Sequence, residues 1–91
     1  MAKFSAFEAL AVSSAAVGFT AATFSNRHLV FLTCEDAAVR FRLDGQDPTS
    51  TVGHELEIGD TLELDSEHQL DNARFIRRDG VDATLQCAFG S

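Results

Sequence analysis

Apolar and polar residues alternate along several short segments in the second half of the chain. The clearest segment runs from Ala37 to Leu43, where every second residue is apolar and Arg40 and Arg42 lie between them. Strict alternation is typical of a β-strand with one face buried and the other face in water. The same pattern predicts further strands over residues 54–58, 61–65, 70–77 and 82–89.

Turn-forming residues separate these segments. Gly59-Asp60 lies between segments 54–58 and 61–65, and Asp-Gly pairs follow the segments that end near residues 43 and 78. Because two alternating segments joined by a tight turn usually form a β-hairpin, we expect segments 54–58 and 61–65 to pair with each other. Six or seven short strands with frequent turns predict an all-β fold, a small antiparallel β-sandwich or barrel.

The first half of the chain leaves more alternatives open. Residues 29–32 are apolar without interruption, which predicts a strand with both faces covered or one whose outer face meets another chain. A strand beginning near Ala9 is favoured over a helix, although Phe4, Phe7 and Ala11 have helical spacing. Residues 1–8 are alternatively an N-terminal arm of a single domain that spans residues 1–91.

Size and charge narrow the classes of partner. A 91-residue domain buries a small share of its surface, so its stability margin is narrow and a partner would add to it. The chain has 14 acidic and 7 basic residues, and its formal net charge is -7. Such a surface repels phosphate, and we therefore expect neither nucleic acid nor an anionic membrane as a partner.

The residue types needed for catalysis do not occur in a recognisable arrangement. There is no nucleophile elbow, no glycine-rich phosphate loop and no CxxC motif. His28, His54 and His68 are distant from any candidate nucleophile, and we expect Cys34 and Cys87 to be reduced, buried thiols. We therefore predict no catalytic, cofactor or metal site and no enzymatic activity.

Acidic residues are dense between residues 55 and 67. Their spacing does not match a calcium-binding loop, so a solvated face that discourages pairing of sheet edges is favoured over a cation site. Arginines are segregated as well, with Arg40 and Arg42 on one predicted face. If the acidic and basic strands are neighbours, cross-strand ion pairs follow, whereas opposite locations would give the domain a charged polarity that favours association of copies.

One stretch resembles a known group of proteins. Residues 39–49 (VRFRLDGQDPT), followed by Val52-Gly53-His54 and by a G-D-x-L-x-L pattern from residue 59, resemble small proteins encoded among the virion genes of tailed bacteriophages. The strand Ala73–Arg77 and the final D-A-T-L strand continue the likeness, which covers roughly residues 37–88. It implies a β-sandwich that serves as a structural component of the virion, assembled in the host cytoplasm.

This resemblance implies a head decoration or cement protein that clamps neighbouring capsid subunits. The partners would be the major capsid protein lattice and further copies of the chain, for example in a trimer. A tail, fibre or baseplate-associated module is the first alternative, and a small acidic inhibitor of a host protein is the second. The residues expected at the protein interface are Phe4, Phe7, Leu29, Val30, Phe31, Arg40 and Arg42.

Overall fold

The computed structural model describes residues 4–91 and consists of two antiparallel sheets. The larger sheet has the strand order β1-β7-β2-β5, and the smaller sheet has the order β4-β3-β6. The predicted all-β antiparallel sandwich is thus confirmed. The elements are β1 (Phe4–Val12), α1 (Ala21–Phe24), β2 (Leu29–Glu35), β3 (Val39–Arg42), β4 (His54–Leu56), β5 (Thr61–Leu64), α2 (Glu67–Asn72), β6 (Arg74–Arg77) and β7 (Ala83–Gly90).

Phenylalanine rings connect the two sheets through one hydrophobic core. Phe75 of β6 lies 5.2 Å from Phe19 and 6.0 Å from Phe41, measured between ring centroids. Phe19 also meets the ring of Phe89 on β7 edge-on at 5.2 Å. Such tilted contacts are favourable because the ring edge of one aromatic meets the electron-rich face of another. The ring of Phe24, from α1, covers one end of this core.

Strand β2 has one buried face and one outer face, despite its continuous apolar run. Val30, Leu32 and Cys34 point into the core, whereas Phe31 is exposed. The expectation that Val30 lies at a protein interface is therefore wrong, because its side chain is 0% exposed. The outer side of β2, at Leu29 and Phe31, has no layer of this chain over it within residues 4–91.

The predicted hairpin between residues 54–58 and 61–65 does not form. Strand β4 pairs with β3, whereas β5 pairs with β2 in the other sheet. The Gly59-Asp60 turn crosses from one sheet to the other and bonds to Cys34 of β2. The Gly59 N–H donates to the Cys34 carbonyl at 2.8 Å, and the Cys34 N–H donates to the Asp60 carbonyl at 2.9 Å.

Two other boundaries differ from the prediction. The segment 70–77 was expected to be one strand, but α2 extends through Asn72 and β6 begins at Arg74. A single buried side chain, Leu70, anchors this short helix, so no helical periodicity could reveal it. At the other end, residues 4–8 belong to β1 and not to an arm or a helix, while residues 1–3 lie outside the described part.

Neither α1 nor α2, the helices within residues 4–91, is long and apolar enough to cross a membrane.

Candidate protein interface

The outer face of the larger sheet carries exposed phenylalanine side chains in one row. Phe7 of β1 and Phe31 of β2 lie on either side of Ala88, which belongs to the intervening strand β7. Phe7 is 62% exposed and Phe31 is 39% exposed. Since Ala88 contributes only a methyl group, the central strand shields neither ring from water. The row is therefore an apolar surface that nothing else in residues 4–91 covers.

A second apolar row arises from an irregularity in β1. Phe4 pairs with Gly90, but Ala6 already pairs with Phe89, so one additional residue of β1 is inserted between them. Side chains at paired positions of two neighbouring strands point to the same face of the sheet. An inserted residue shifts the alternation, so residues beyond it point to the face opposite to the one that regular alternation would give. Phe4, 50% exposed, consequently lies on the outer face, where regular alternation would have turned it inward. Leu29 completes this row on the far side of Gly90.

These two rows form a surface that we call the outer apolar patch. It brings together four of the seven residues that the sequence predicted at an interface. Its members are Phe4, Phe7, Leu29 and Phe31, with Ala88 and Gly90 between them.

Strands β1 and β2 bring few charges to this patch. Residues 4–34 contain one acidic residue, Glu8, and one basic residue, Arg27. The Glu8 carboxylate accepts hydrogen bonds from the backbone and the hydroxyl of Thr20. The Arg27 guanidinium donates to the Ser5 hydroxyl at 3.0 Å and to two backbone carbonyls. Because both charges are already engaged, an apolar partner could cover Phe4, Phe7 and Leu29 without leaving either ion unpaired, whereas Glu63, opposite Phe31 on β5, would have to stay at the solvated rim.

The smaller sheet presents a different outer face, on which Arg40 is occupied within the chain. Its guanidinium donates to the carbonyls of Ser50 and Gly53, each at 3.0 Å, and its other nitrogen lies 2.8 Å from a carboxylate oxygen of Glu55. Arg40 and Glu55 are directly opposite each other on β3 and β4, so the predicted cross-strand ion pair is present. Arg40 therefore fixes the loop between these strands.

Arg42 supports the beginning of the same loop. Its guanidinium forms a bidentate contact with the Asp44 carboxylate, in which Nε donates to Oδ1 at 3.0 Å and Nη2 donates to Oδ2 at 2.5 Å. This contact lowers the pKa of the Asp44 carboxyl. Neither Arg42 nor Arg40 has a side chain free to serve as an unpaired ligand for another chain. Both arginines of the predicted interface thus lie on the opposite sheet from the outer apolar patch.

The stretch that carries the phage-protein resemblance forms this loop. Pro48 is buried, and the Thr49 hydroxyl accepts hydrogen bonds from the N–H groups of Thr51 and Val52. Gly53 has φ +133°, and a Cβ there would lie 3.0 Å from the Phe41 carbonyl. The D-G-x-x-P-T and V-G-H residues therefore determine a loop conformation and do not assemble reactive groups.

Acidic residues near the small sheet are also partly paired. Arg78 contacts Glu57 and lies 2.8 Å from Asp79 and 3.7 Å from Glu55. Its guanidinium lowers the pKa of Asp79 by hydrogen bonding. The acidic residues were expected on one hairpin, but they are divided between β4 and β5, in different sheets. Glu63 remains exposed on β5, opposite Phe31 of β2.

No reactive cluster accompanies these charges in the part of the chain that the structure describes. Among residues 4–91, no group of three or more His, Cys, Asp or Glu side chains could hold a metal ion. An open depression of about 590 Å³ lies beside His54, whose ring packs 5.3 Å from that of Phe41. His28 precedes β2 and His68 lies in α2, so the three histidines are in separate places.

The two cysteines are buried and unpaired, as expected. Burial is the main cause that raises the pKa of the Cys34 thiol to about 11 and that of Cys87 to about 12. The Cys34 thiol donates to the Ala37 carbonyl at 3.1 Å. Since the thiolate is the reactive form, neither cysteine is suited to nucleophilic chemistry at neutral pH.

Comparison of the chain with protein-family models, with curated proteins and with solved structures finds no match. The outer apolar patch is therefore interpreted from its own chemistry.

Proposed function

We propose that this chain is a non-enzymatic structural component of a tailed-bacteriophage virion, and that it decorates the head by docking on the capsid lattice. The outer apolar patch is the observation that carries the proposal. A partner that covers it would remove from water three phenylalanine rings and the Leu29 side chain. Apolar burial of this kind drives association at about 25 cal/mol for each Å² removed from water.

The position of the patch favours a rigid docking module. Phe7 and Phe31 project from paired strands of one sheet and not from loops, so their spacing is held by the backbone ladder. Little conformational entropy would be lost when these rings meet a preformed surface, because both are already ordered by their strands. A repetitive lattice suits such a module, since every copy meets the same surface in the same orientation.

Two further observations support the proposal. The first is the sequence resemblance to small phage virion proteins. It covers the loop that Arg40 and Arg42 stabilise, so the residues that carry the resemblance maintain the shape of the domain. The narrow stability expected of 91 residues also suits a protein that gains stability from its partner, because binding to the folded state alone raises the apparent free energy of unfolding.

The test is reconstitution on capsids assembled from the major capsid protein of a phage that encodes this chain. The purified chain is expected to cosediment with these capsids in many copies per particle and to raise the temperature at which they break. The double variant Phe7→Glu/Phe31→Glu is expected to lose binding by about tenfold or more, since a carboxylate would be buried against an apolar surface.

A matched control places the same two charges at exposed apolar residues away from the patch. The Val52→Glu/Val81→Glu variant changes a loop residue before β4 and one before β7, 51% and 56% exposed, and is expected to bind capsids like the unmodified chain. Equal loss of binding in both double variants would contradict docking through the patch. Recovery of the chain in a few copies on tails would contradict the head assignment and support the tail-module alternative, and tight salt-sensitive binding to a host DNA-binding protein would support the inhibitor alternative.

A further inference from the structure

The four outer strands of the sandwich differ in how their free edges are protected. An unprotected edge exposes a row of backbone N–H and C=O groups that readily pairs with another strand. In the smaller sheet, β4 has three residues and an exposed glutamate. The edge of β6 is covered by the segment after β1, because Phe75 exchanges backbone hydrogen bonds with Val17 at 2.8 and 2.9 Å and Arg77 donates to the Ser13 carbonyl.

The larger sheet has one protected edge and one open edge. Strand β5 has four residues, and the carboxylate of Glu63 is exposed on it. Strand β1 has nine residues and pairs only with β7 among the described residues. Within residues 4–91, no segment other than β7 forms a hydrogen bond with the backbone of Phe4–Val12, and Thr20 and Arg27 bond only to side chains of this strand.

Charge also distinguishes β1 from the other edges. Its single ionisable residue, Glu8, is bound by Thr20. The carboxylates of Glu35 and Asp36 are bound by Gln86 and Thr84 of β7, one strand in from β1, so two copies could approach along β1 without bringing free carboxylates of these residues to the junction, although each chain has a net charge of -7. Arg27, bound to the Ser5 hydroxyl of β1, is already engaged by two backbone carbonyls, so a charged foreign strand would find little complementary charge here. This segregation of charge favours a second copy of the same chain as the occupant.

We propose that two copies of this chain pair along β1. A two-fold axis makes the contact self-complementary and the paired strands antiparallel. The two four-stranded sheets then form one sheet of eight strands, and Phe7 of each copy lies beside the junction. The two outer apolar patches become a single, wider surface on one side of the dimer. This inference is independent of the virion assignment, since it concerns only how the chain meets itself.

The first test is sedimentation equilibrium of the full chain over a wide concentration range. We expect reversible dimerisation with twice the 9.8 kDa mass of one chain. The Ala9→Lys/Ala11→Lys variant is expected to raise the dimer dissociation constant by about tenfold or more, because like charges are brought together at the junction. Both alanines are exposed in the single chain, so the fold of each copy is retained.

The sheet supplies a matched control. Gln86 and Thr84 of β7 lie directly opposite Ala9 and Ala11, on the same outer face but on a central strand. The Gln86→Lys/Thr84→Lys variant has the same charge change and is expected to dimerise like the unmodified chain. Equal weakening of both variants would overturn the proposal in favour of face-to-face association, and a monomer at every concentration would overturn it outright.

Amide hydrogen exchange gives a second, residue-level readout. Strand pairing along β1 is expected to slow exchange at alternate residues of Phe4–Val12, those whose N–H points away from β7, as the concentration rises. Unchanged exchange at all of these amides in a dimer would overturn pairing through β1. Capsid binding is measured separately. A β1 dimer that does not bind capsids refutes the proposed function alone, and a monomer that binds capsids refutes the pairing along β1 alone.

Discussion

The outer faces of the two sheets differ in how fully their side chains are satisfied within the chain. On the smaller sheet, Arg40 bonds to two loop carbonyls and to Glu55, and Arg42 bonds to Asp44. On the larger sheet, the rings of Phe7 and Phe31 remain partly in water, at 62% and 39% exposure. Polar groups that already have partners stabilise the fold and have few hydrogen bonds left to form with another molecule. Exposed rings, in contrast, contribute favourable free energy only when another surface removes them from water.

This contrast indicates that the arginines on the smaller sheet stabilise the fold, whereas the exposed phenylalanines on the larger sheet have a surface that another molecule could cover. Arg40 and Arg42 were expected at an interface because segregated basic and acidic strands could give the domain a charged polarity that favours association of copies. The structure shows that Arg40 has three partners within the chain. The smaller sheet thus holds its long loop, and the larger sheet carries the apolar surface that we propose as the docking site.

The largest expected effect comes from two neighbouring residues on β2. Val30→Glu would bury an unpaired carboxylate in the core, at a cost of about 4 kcal/mol or more in the free energy of unfolding, enough to unfold a small domain. Phe31→Glu places the same group in water and is expected to cost less than about 1 kcal/mol. Urea denaturation followed by circular dichroism measures both. Comparable destabilisation of the two variants would show that the outer face of β2 is not free.

A second pair of substitutions tests the loop on the smaller-sheet side. Gly53→Ala combines a positive φ with a Cβ that would meet Phe41 and Pro48 at 3.0 and 3.2 Å. We expect it to cost about 2–3 kcal/mol, since strain and crowding add. Gly59→Ala also has a positive φ, of +90°, but nothing within 4 Å, and is expected to cost about 1 kcal/mol. Thermal unfolding that ranks the two in the reverse order would contradict a tightly packed loop.

Removal of the Arg40 side chain tests the role of arginine on the smaller sheet. Arg40→Ala is expected to cost about 1–2 kcal/mol, because it leaves two loop carbonyls and Glu55 without their donor at a partly exposed site. Arg42→Ala serves as the comparison and is expected to cost less, since Arg42 bonds only to the exposed Asp44. Chemical denaturation provides the values, and equal costs would mean that the carbonyl contacts contribute nothing.

The smallest expected effect is a dependence on acid. Arg42 and Arg78 lower the pKa values of Asp44 and Asp79 below the ordinary 3.8. A carboxyl whose pKa is lower in the folded state stabilises the fold fully above its unfolded-state pKa, and this contribution is lost as the pH falls through the folded-state pKa. The urea midpoint of the unmodified chain is therefore expected to fall more between about pH 5 and about pH 3 than that of Arg42→Gln. Identical falls would exclude Asp44 as a contributor.

Part of the outer apolar patch could be predicted from the sequence. Phe31 lies in a continuous apolar run, for which the alternatives were a strand with both faces covered or one whose outer face meets another chain, and Phe7 was separately expected at an interface. The assignment of Val30 to the same surface was wrong because both faces of β2 are apolar at this point and no alternation distinguishes them. Phe4 reaches the patch through an inserted residue in β1, which leaves no mark in the pattern of residues.

The amino-acid pattern by itself determined where most strands run and which of their faces is buried, as in β3 and β7, since each side chain's direction follows from its own backbone. Only the tertiary structure decided which strands pair. Segments 54–58 and 61–65 alternate in the way that hairpin strands do, yet they enter different sheets. The physical reason is that alternation shows only that one face of a strand is buried against a core, and both sheets share the same core. Strand pairing depends instead on backbone N–H and C=O groups, which nearly every residue type has in the same form.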